Sequence, residues 1–392
     1  MSLSYDPFDL RVDKDPWGVW TELRERAPLY RNEARDFYAL SRFADVHSVL
    51  TDFKTYSSRR GNLLEVIDRP DGERPRLLSF MDPPEHQRLR GIVSKSFSPA
   101  AVAQLEDGIR ARARSRLDRA ADREQFDFVV DFAQHIPVSV ICSLMGIPAE
   151  DHDLMRQWTD AHMACDENGE RSGERAFDDM RQYVAALASE RARRPQDDML
   201  SAMVHAKVPG PDGPRALNLS EILDFMVQII NAGSETSTRL MGWSVVQLSR
   251  HPEQRRALAR DPGLAAGAIE EILRYDPPLV RQARLVDRDV TWHGQKVSAG
   301  SKLLLLIGAA SRDPREFERP DAFLIDRKIA RPLAFSAGIH HCLGAALARL
   351  EGRVVLEELL AHSCDWEVDE GGLEFAFSTF NRGYGRIPVR LH

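Results

Sequence analysis

The chain has 392 residues, 43% of them hydrophobic, which is enough to bury a large core and ordinary for a soluble globular protein. Its formal net charge of −7 leaves no basic footprint for nucleic acid. Four widely spaced cysteines without a CxxC pair exclude a disulfide framework and point to a reducing compartment, the cytoplasm.

The N-terminus, Met1 to Pro7, lacks a basic stretch followed by an apolar run, so neither a signal peptide nor a membrane anchor is expected. After Met81-Asp82-Pro83-Pro84, the spacing His86-x-x-x-Arg90 puts two donors one helical turn apart. Ser98-Pro99 is a helix start, and the spacing predicts a helix over 100–118. The apolar run 138–144 ends at Met145-Gly146-Ile147-Pro148, a stop followed by a turn. Residues 151–163 and 176–193 are amphipathic, separated by a polar, glycine-bearing loop. Asn218 with Glu221 forms a capping-box pattern that opens a long helix reaching about Ser249.

Inside that helix stands Ala232-Gly233-Ser234-Glu235-Thr236-Ser237. Glycine and threonine in mid-helix are poor choices for propensity. The residues alone fit either a tolerated glycine with a back-bonding threonine or an acid–alcohol pair that moves protons. Glu271-x-x-Arg274 shares a helix face, as a surface ion pair also would. Strand-like runs are few: 290–292, 303–307, 375–377 and 387–391.

The last signal is Phe335-Ser336-Ala337-Gly338-Ile339-His340-His341-Cys342-Leu343-Gly344, followed by a helix from Ala345. A thiolate at a helix N-terminus is stabilised by the dipole and free N–H groups, and it is a good soft ligand for iron. A lone cysteine is otherwise a small buried hydrophobe.

This stretch resembles the haem-thiolate loop of the cytochrome P-450 family: Phe335, Gly338, His340, Cys342 and Gly344 stand at the family's spacing. The resemblance runs over nearly the whole chain. It implies a mainly α fold with small β-sheets, one large domain over 1–392, and a long central helix over a haem b group. Cys342 would be the axial metal ligand, with Phe335, Gly338, His340, Gly344, Ala232 and Gly233 against the cofactor. His86, Arg90, Arg284 and His340 would hold its two propionates. Thr236 would bind oxygen and water and open the helix ladder into a groove. Glu235 would relay protons, and Gly233 would leave room for oxygen. Glu271, Arg274 and Arg327 would form a structural network behind the cysteine loop. Ser336 and Pro332 depart from the usual glycine and histidine of the family, with local backbone effects expected, and His341 beside the cysteine is unusual.

By the same resemblance, residues 59–80, the 164–173 loop and the long helix roof the substrate pocket. Leu279, Val280, Thr379 and Phe380 line it. Gln228 and Asn231 occupy positions where apolar residues are usual; Gln228 either bonds a neighbouring backbone group or anchors a polar substituent. No flavin or iron–sulfur motif is present, so an external donor is implied, a ferredoxin with its NAD(P)H-dependent reductase. Arg88, Lys95, Arg349 and Arg353 either form a basic patch for an acidic donor or are solvated charges.

The implied activity is monooxygenation of a lipophilic molecule such as a terpenoid, steroid, polyketide or substituted aromatic, by a monomer without membrane contact. Alternatives are peroxide-driven or non-oxygenating chemistry, a haem-based gas sensor or carrier, and a cysteine-nucleophile hydrolase, which would leave His86, Arg90 and Arg284 unexplained.

Overall fold

Asn218 accepts a hydrogen bond from the Glu221 N–H (2.9 Å), and Glu221 accepts one from the Asn218 N–H (2.8 Å). This reciprocal cap satisfies two orphan donors and opens a helix that runs unbroken over Leu219–Arg250. From Leu240 to Leu248 every residue of that helix is buried, so this stretch is enclosed on all sides and lies in the core. The computed structural model describes residues 3–121, 123–163, 173–210, 213–376, 378 and 381–392.

Helices surround this central one. His135–Met145 and Ala345–His362 pack against it. The former begins before the apolar run because Pro137 is tolerated in a first turn. The segment Phe128–Met145 is long and apolar enough to cross a membrane by composition, but most of it is buried in the core. The helix expected over 100–118 is two helices, Pro99–Ala103 and Glu106–Ala121. Ser98 caps the first, and the acidic pair Glu106-Asp107 opens the second at its positive end.

A five-stranded sheet lies to one side. Its strands are β1 (Leu29–Asn32), β2 (Phe37–Leu40), β3 (Tyr56–Ser57), β4 (Gln282–Val286) and β5 (Lys302–Leu305), in the order β1-β2-β5-β4-β3. The run expected over 303–307 therefore ends as a strand at Leu305, and Ile307–Ala310 turns into a short helix. In β4, Arg284 pairs with Leu303 of β5, which fixes the face its side chain takes.

Glu271, on the Ala265–Tyr275 helix, has no exposed surface. Arg274 donates to both of its oxygens (2.7 and 2.8 Å). Arg327 Nε lies 3.1 and 3.3 Å from the same pair, and the Leu324 N–H adds a bond of 2.9 Å. The spare guanidinium N–H groups go to Ser311, Pro320, Ala322, Glu318 and Arg319 carbonyls. These bonds fasten the chain on the approach to the cysteine loop.

Candidate active site

Residues 335–344 fold back before the Ala345–His362 helix. The Cys342 N–H donates to the Phe335 carbonyl (2.8 Å), and the His341 N–H to that of Gly338 (3.1 Å). Gly338 has φ +66°, and a Cβ there would stand 2.7 Å from the Leu50 carbonyl oxygen, so no side chain fits. Ser336 is also left-handed (φ 60°); that conformation costs a side-chain-bearing residue about 1–2 kcal/mol, which gives its departure from glycine a physical consequence. Arg349 lies over the Phe335 ring, 4.4 Å from its centroid.

Cys342 is exposed. Desolvation pushes the thiol pKa up, opposed by the Gly344 N–H and by Arg90 and Arg349. A metal ion deprotonates a coordinating thiol outright.

Beside the cysteine lies a basic cluster. His86, from the Glu85–Val93 helix, meets His340 edge to face, ring centroids 4.5 Å apart. Burial lowers both imidazoles, that of His86 to about 4. Neither His86 Nδ1 nor His340 Nε2 has a hydrogen-bond partner. Asp82 stands 3.9 Å from His340 Nε2, too far for a bond, and is itself engaged by Ser57 and the Ser58 N–H. Arg284 is buried, and burial pulls its pKa down to about 10. It donates only to the Ala283 carbonyl (2.8 Å) and to Gln282 (3.2 Å), and among the described residues it forms no ion pair. Arg90 donates to the His341 carbonyl (2.7 Å).

A buried guanidinium without a counter-ion and two buried ring nitrogens without partners are expensive to keep. They fit a ligand that presents carboxylates next to Cys342. The two propionates of the implied haem meet that requirement.

On the long helix the Thr236 hydroxyl donates to the Ala232 carbonyl (2.7 Å), and Ala232 is exposed. The helix runs through Thr236 unbroken, so the expected opening of its ladder is not present. A Cβ on Gly233 would lie 2.8 Å from Ile141, so this glycine also lets the His135–Met145 helix approach closely. Glu235 accepts from Asn381 Nδ2 (2.8 Å), and Arg239 stands 3.5 Å from its other oxygen.

The pocket residues divide. Gln228 is committed to the roof: it accepts from the Leu78 N–H (2.7 Å) and donates to Ser79 (3.0 Å), which withdraws it as a substrate anchor. The Asn231 Oδ1 is buried without a partner. Leu279 is half-buried and pairs with Asn381. Its neighbour Val280 is directed oppositely, into the apolar cluster with Leu64, Ala283 and Leu304, and leaves the pocket lining. Thr379, Phe380 and all of the 164–173 loop but Gly173 lie outside the described residues.

A groove of about 610 Å³ opens between the Ala265–Tyr275 helix, residues 327–330 and the Ala345–His362 helix. It borders Arg349 rather than Thr236 or Asn231, so it is not the substrate site. Arg349 there is paired with Glu270, and Arg353 with Glu106 (2.6 Å) and Glu357 (2.8 Å). Two of the four expected patch cations are thus neutralised, while Arg88 and Lys95 are exposed. Asp82, Gln282 and Asn381 went unnoticed in the sequence, because no spacing or propensity marks them.

A family model described as Cytochrome P450 matches residues 264–382. The chain is 37% identical to a putative cytochrome P450 123 of Mycobacterium tuberculosis, over 99% of this chain and 97% of that one. It is 31% identical to the polyketide biosynthesis cytochrome P450 PksS of Bacillus subtilis, over 99% of each. The solved structure of cytochrome P450 CYP109Q5 from Chondromyces apiculatus superposes with a TM-score of 0.89 at 32% identity, covering 100% of this chain and 99% of that one.

Arg284→Leu should leave the haem-free protein within about 1 kcal/mol of wild type, since no ion pair is broken. Haem loss, followed by transfer to apomyoglobin, should accelerate by on the order of ten- to a hundredfold, as expected for losing a hydrogen bond to a charged group. Unchanged haem loss would remove Arg284 from the cofactor's contacts.

Proposed function

The chain belongs to the cytochrome P450 family and is a haem b-dependent monooxygenase; we propose that it oxidises a lipophilic, polyketide-like substrate that carries a hydrogen-bond donor. Residues 1–392 act as one cytoplasmic domain and, by this reading, as a monomer. The observation that carries it is the assembly of Cys342 with His86 and His340, each with a ring nitrogen that lacks a hydrogen-bond partner, and with Arg284, a buried guanidinium that bonds only neutral groups and forms no ion pair among the described residues.

When bound, the haem supplies the iron at which dioxygen is reduced and cleaved, and a thiolate ligand favours that cleavage. Cys342 is that ligand in this reading, with its loop kept rigid by Gly338 and by the Glu271 network. His86, Arg90, Arg284 and His340 hold the propionates. Thr236 spends its proton on the Ala232 carbonyl, so its oxygen is left to accept a hydrogen bond and orient a donor. Glu235 is the carboxylate that takes up and releases protons beside it.

The substrate class is supported by PksS and by Asn231, whose buried oxygen needs a donor. Leu279 gives an apolar wall. Two electrons arrive from a ferredoxin and its NAD(P)H-dependent reductase. The donor docks at the exposed Arg88 and Lys95 and the apolar groove beside Arg349, a face with less free positive charge than its sequence promised.

Thr236→Ala should keep electron uptake but lower product per NAD(P)H by about tenfold or more and raise peroxide release; tight coupling in that variant would count against the relay. Asn231→Leu should weaken binding of a donor-bearing substrate about tenfold, the equivalent of one net hydrogen bond, and spare an analogue lacking the donor. Equal effects on both would assign Asn231 to folding.

A further inference from the structure

Glu235 is gripped from outside its own helix by a segment that carries no motif. We propose that Asn381 is a positioning residue, which holds the Glu235 carboxylate in place for proton delivery and couples it to the substrate-side hairpin. This deepens the reading of Glu235 as proton carrier and rests on it.

Asn381 is 2% exposed, and its Nδ2 donates to Glu235 Oε2 at 2.8 Å. Its backbone is held on both flanks. The Asn381 N–H donates to Ser378 Oγ (3.2 Å), the residue bridges to Leu279, and the Arg382 N–H donates to the Pro278 carbonyl (2.7 Å). The amide is thus carried by the same stretch that supplies the pocket wall, and a shift of that wall moves the donor on Glu235. The second neighbour of the carboxylate, Arg239, is set by the same hairpin. It donates to the Tyr384 carbonyl and lies under Gly383, where a Cβ would stand 2.7 Å from Arg239 Cδ. Across from Arg239 is Asp160 of the His152–Met163 helix, whose carboxyl is raised by burial and lowered by Arg156 and Arg239. No other charged group bears on the cluster among the described contacts. Glu235 is half-buried and Asn381 is its one hydrogen-bond donor among the described contacts, with Arg239 at 3.5 Å, so the geometry of Glu235 depends on Asn381.

The test uses the holoprotein without substrate or redox partner. It is reduced with dithionite, mixed with air-saturated buffer, and followed back to its ferric spectrum across pH. The wild-type rate should titrate with one midpoint, and Glu235→Gln should abolish it. Asn381→Asp, isosteric but without the donor, places two carboxylates together and should raise the midpoint by about one pH unit or more. Asn381→Leu should raise it as well. Melting temperatures give a second readout. Asn381→Asp should lower it, and the Glu235→Gln, Asn381→Asp double variant, which exchanges donor and acceptor, should restore it.

A midpoint lost in Glu235→Gln but unmoved in both Asn381 variants overturns the role of Asn381. So does a double variant no more stable than Asn381→Asp alone. A wild-type rate without a midpoint, or one that survives Glu235→Gln, overturns the reading of Glu235 instead.

Discussion

Glu271 has no exposed surface, and its charge is shared by two guanidinium groups, Arg274 and Arg327, and by the Leu324 N–H. A carboxylate in that position is tolerable only with its partners present, and removing Glu271 would leave two guanidinium groups uncompensated, at a cost of about 3–5 kcal/mol. The arrangement therefore forces three chain segments, 265–275, 311–322 and 324–327, into a single geometry. The cysteine loop begins eight residues later, and its own constraints are local: a left-handed Gly338 pressed on Leu50, and a Cys342 N–H closed on Phe335. The loop can be strained at Ser336 because the network upstream prevents it from relaxing.

Against that rigid frame the site is built from incomplete groups. Arg284 and His86 are buried and His340 is half-buried, on three different elements, β4, the Glu85–Val93 helix and the loop, and none makes a hydrogen bond to a carboxylate. A protein selected for stability alone would not assemble them. The long helix shows the same economy on its other side. Gln228 is used up fastening the roof and Gly233 admits Ile141, which leaves Asn231, Glu235 and Thr236 to act on what lies before them.

Much of this was legible in the residues. The Asn218–Glu221 cap, the Ser98 cap and the helix start after Gly344 are local chemistry, and local chemistry reads directly from sequence. The Glu271–Arg274–Arg327 triad and the propionate cluster came only from a family resemblance, since their members are far apart in the chain. What was missed depends on tertiary contact. Val280 and Leu279 differ only by which side of an extended segment they face. The contact of Gly233 with Ile141 is made to another helix. Asn381 sits in no pattern, yet it holds the carboxylate of the helix motif. The helix expected as one piece over 100–118 breaks where neither proline nor glycine stands, a place sequence rules do not mark.

The central claim is that Cys342 is the ligand on which the basic cluster, the long helix and the electron supply converge. It is tested most directly by the absorption spectrum of the reduced, carbon-monoxide-bound protein, recorded for the wild type and for Cys342→Ser. The account predicts a strongly red-shifted Soret band in the wild type and its loss in the variant, with haem still bound by the propionate contacts. A band at the position of histidine-ligated haem in the wild type, or a red-shifted band that survives in Cys342→Ser, would contradict it.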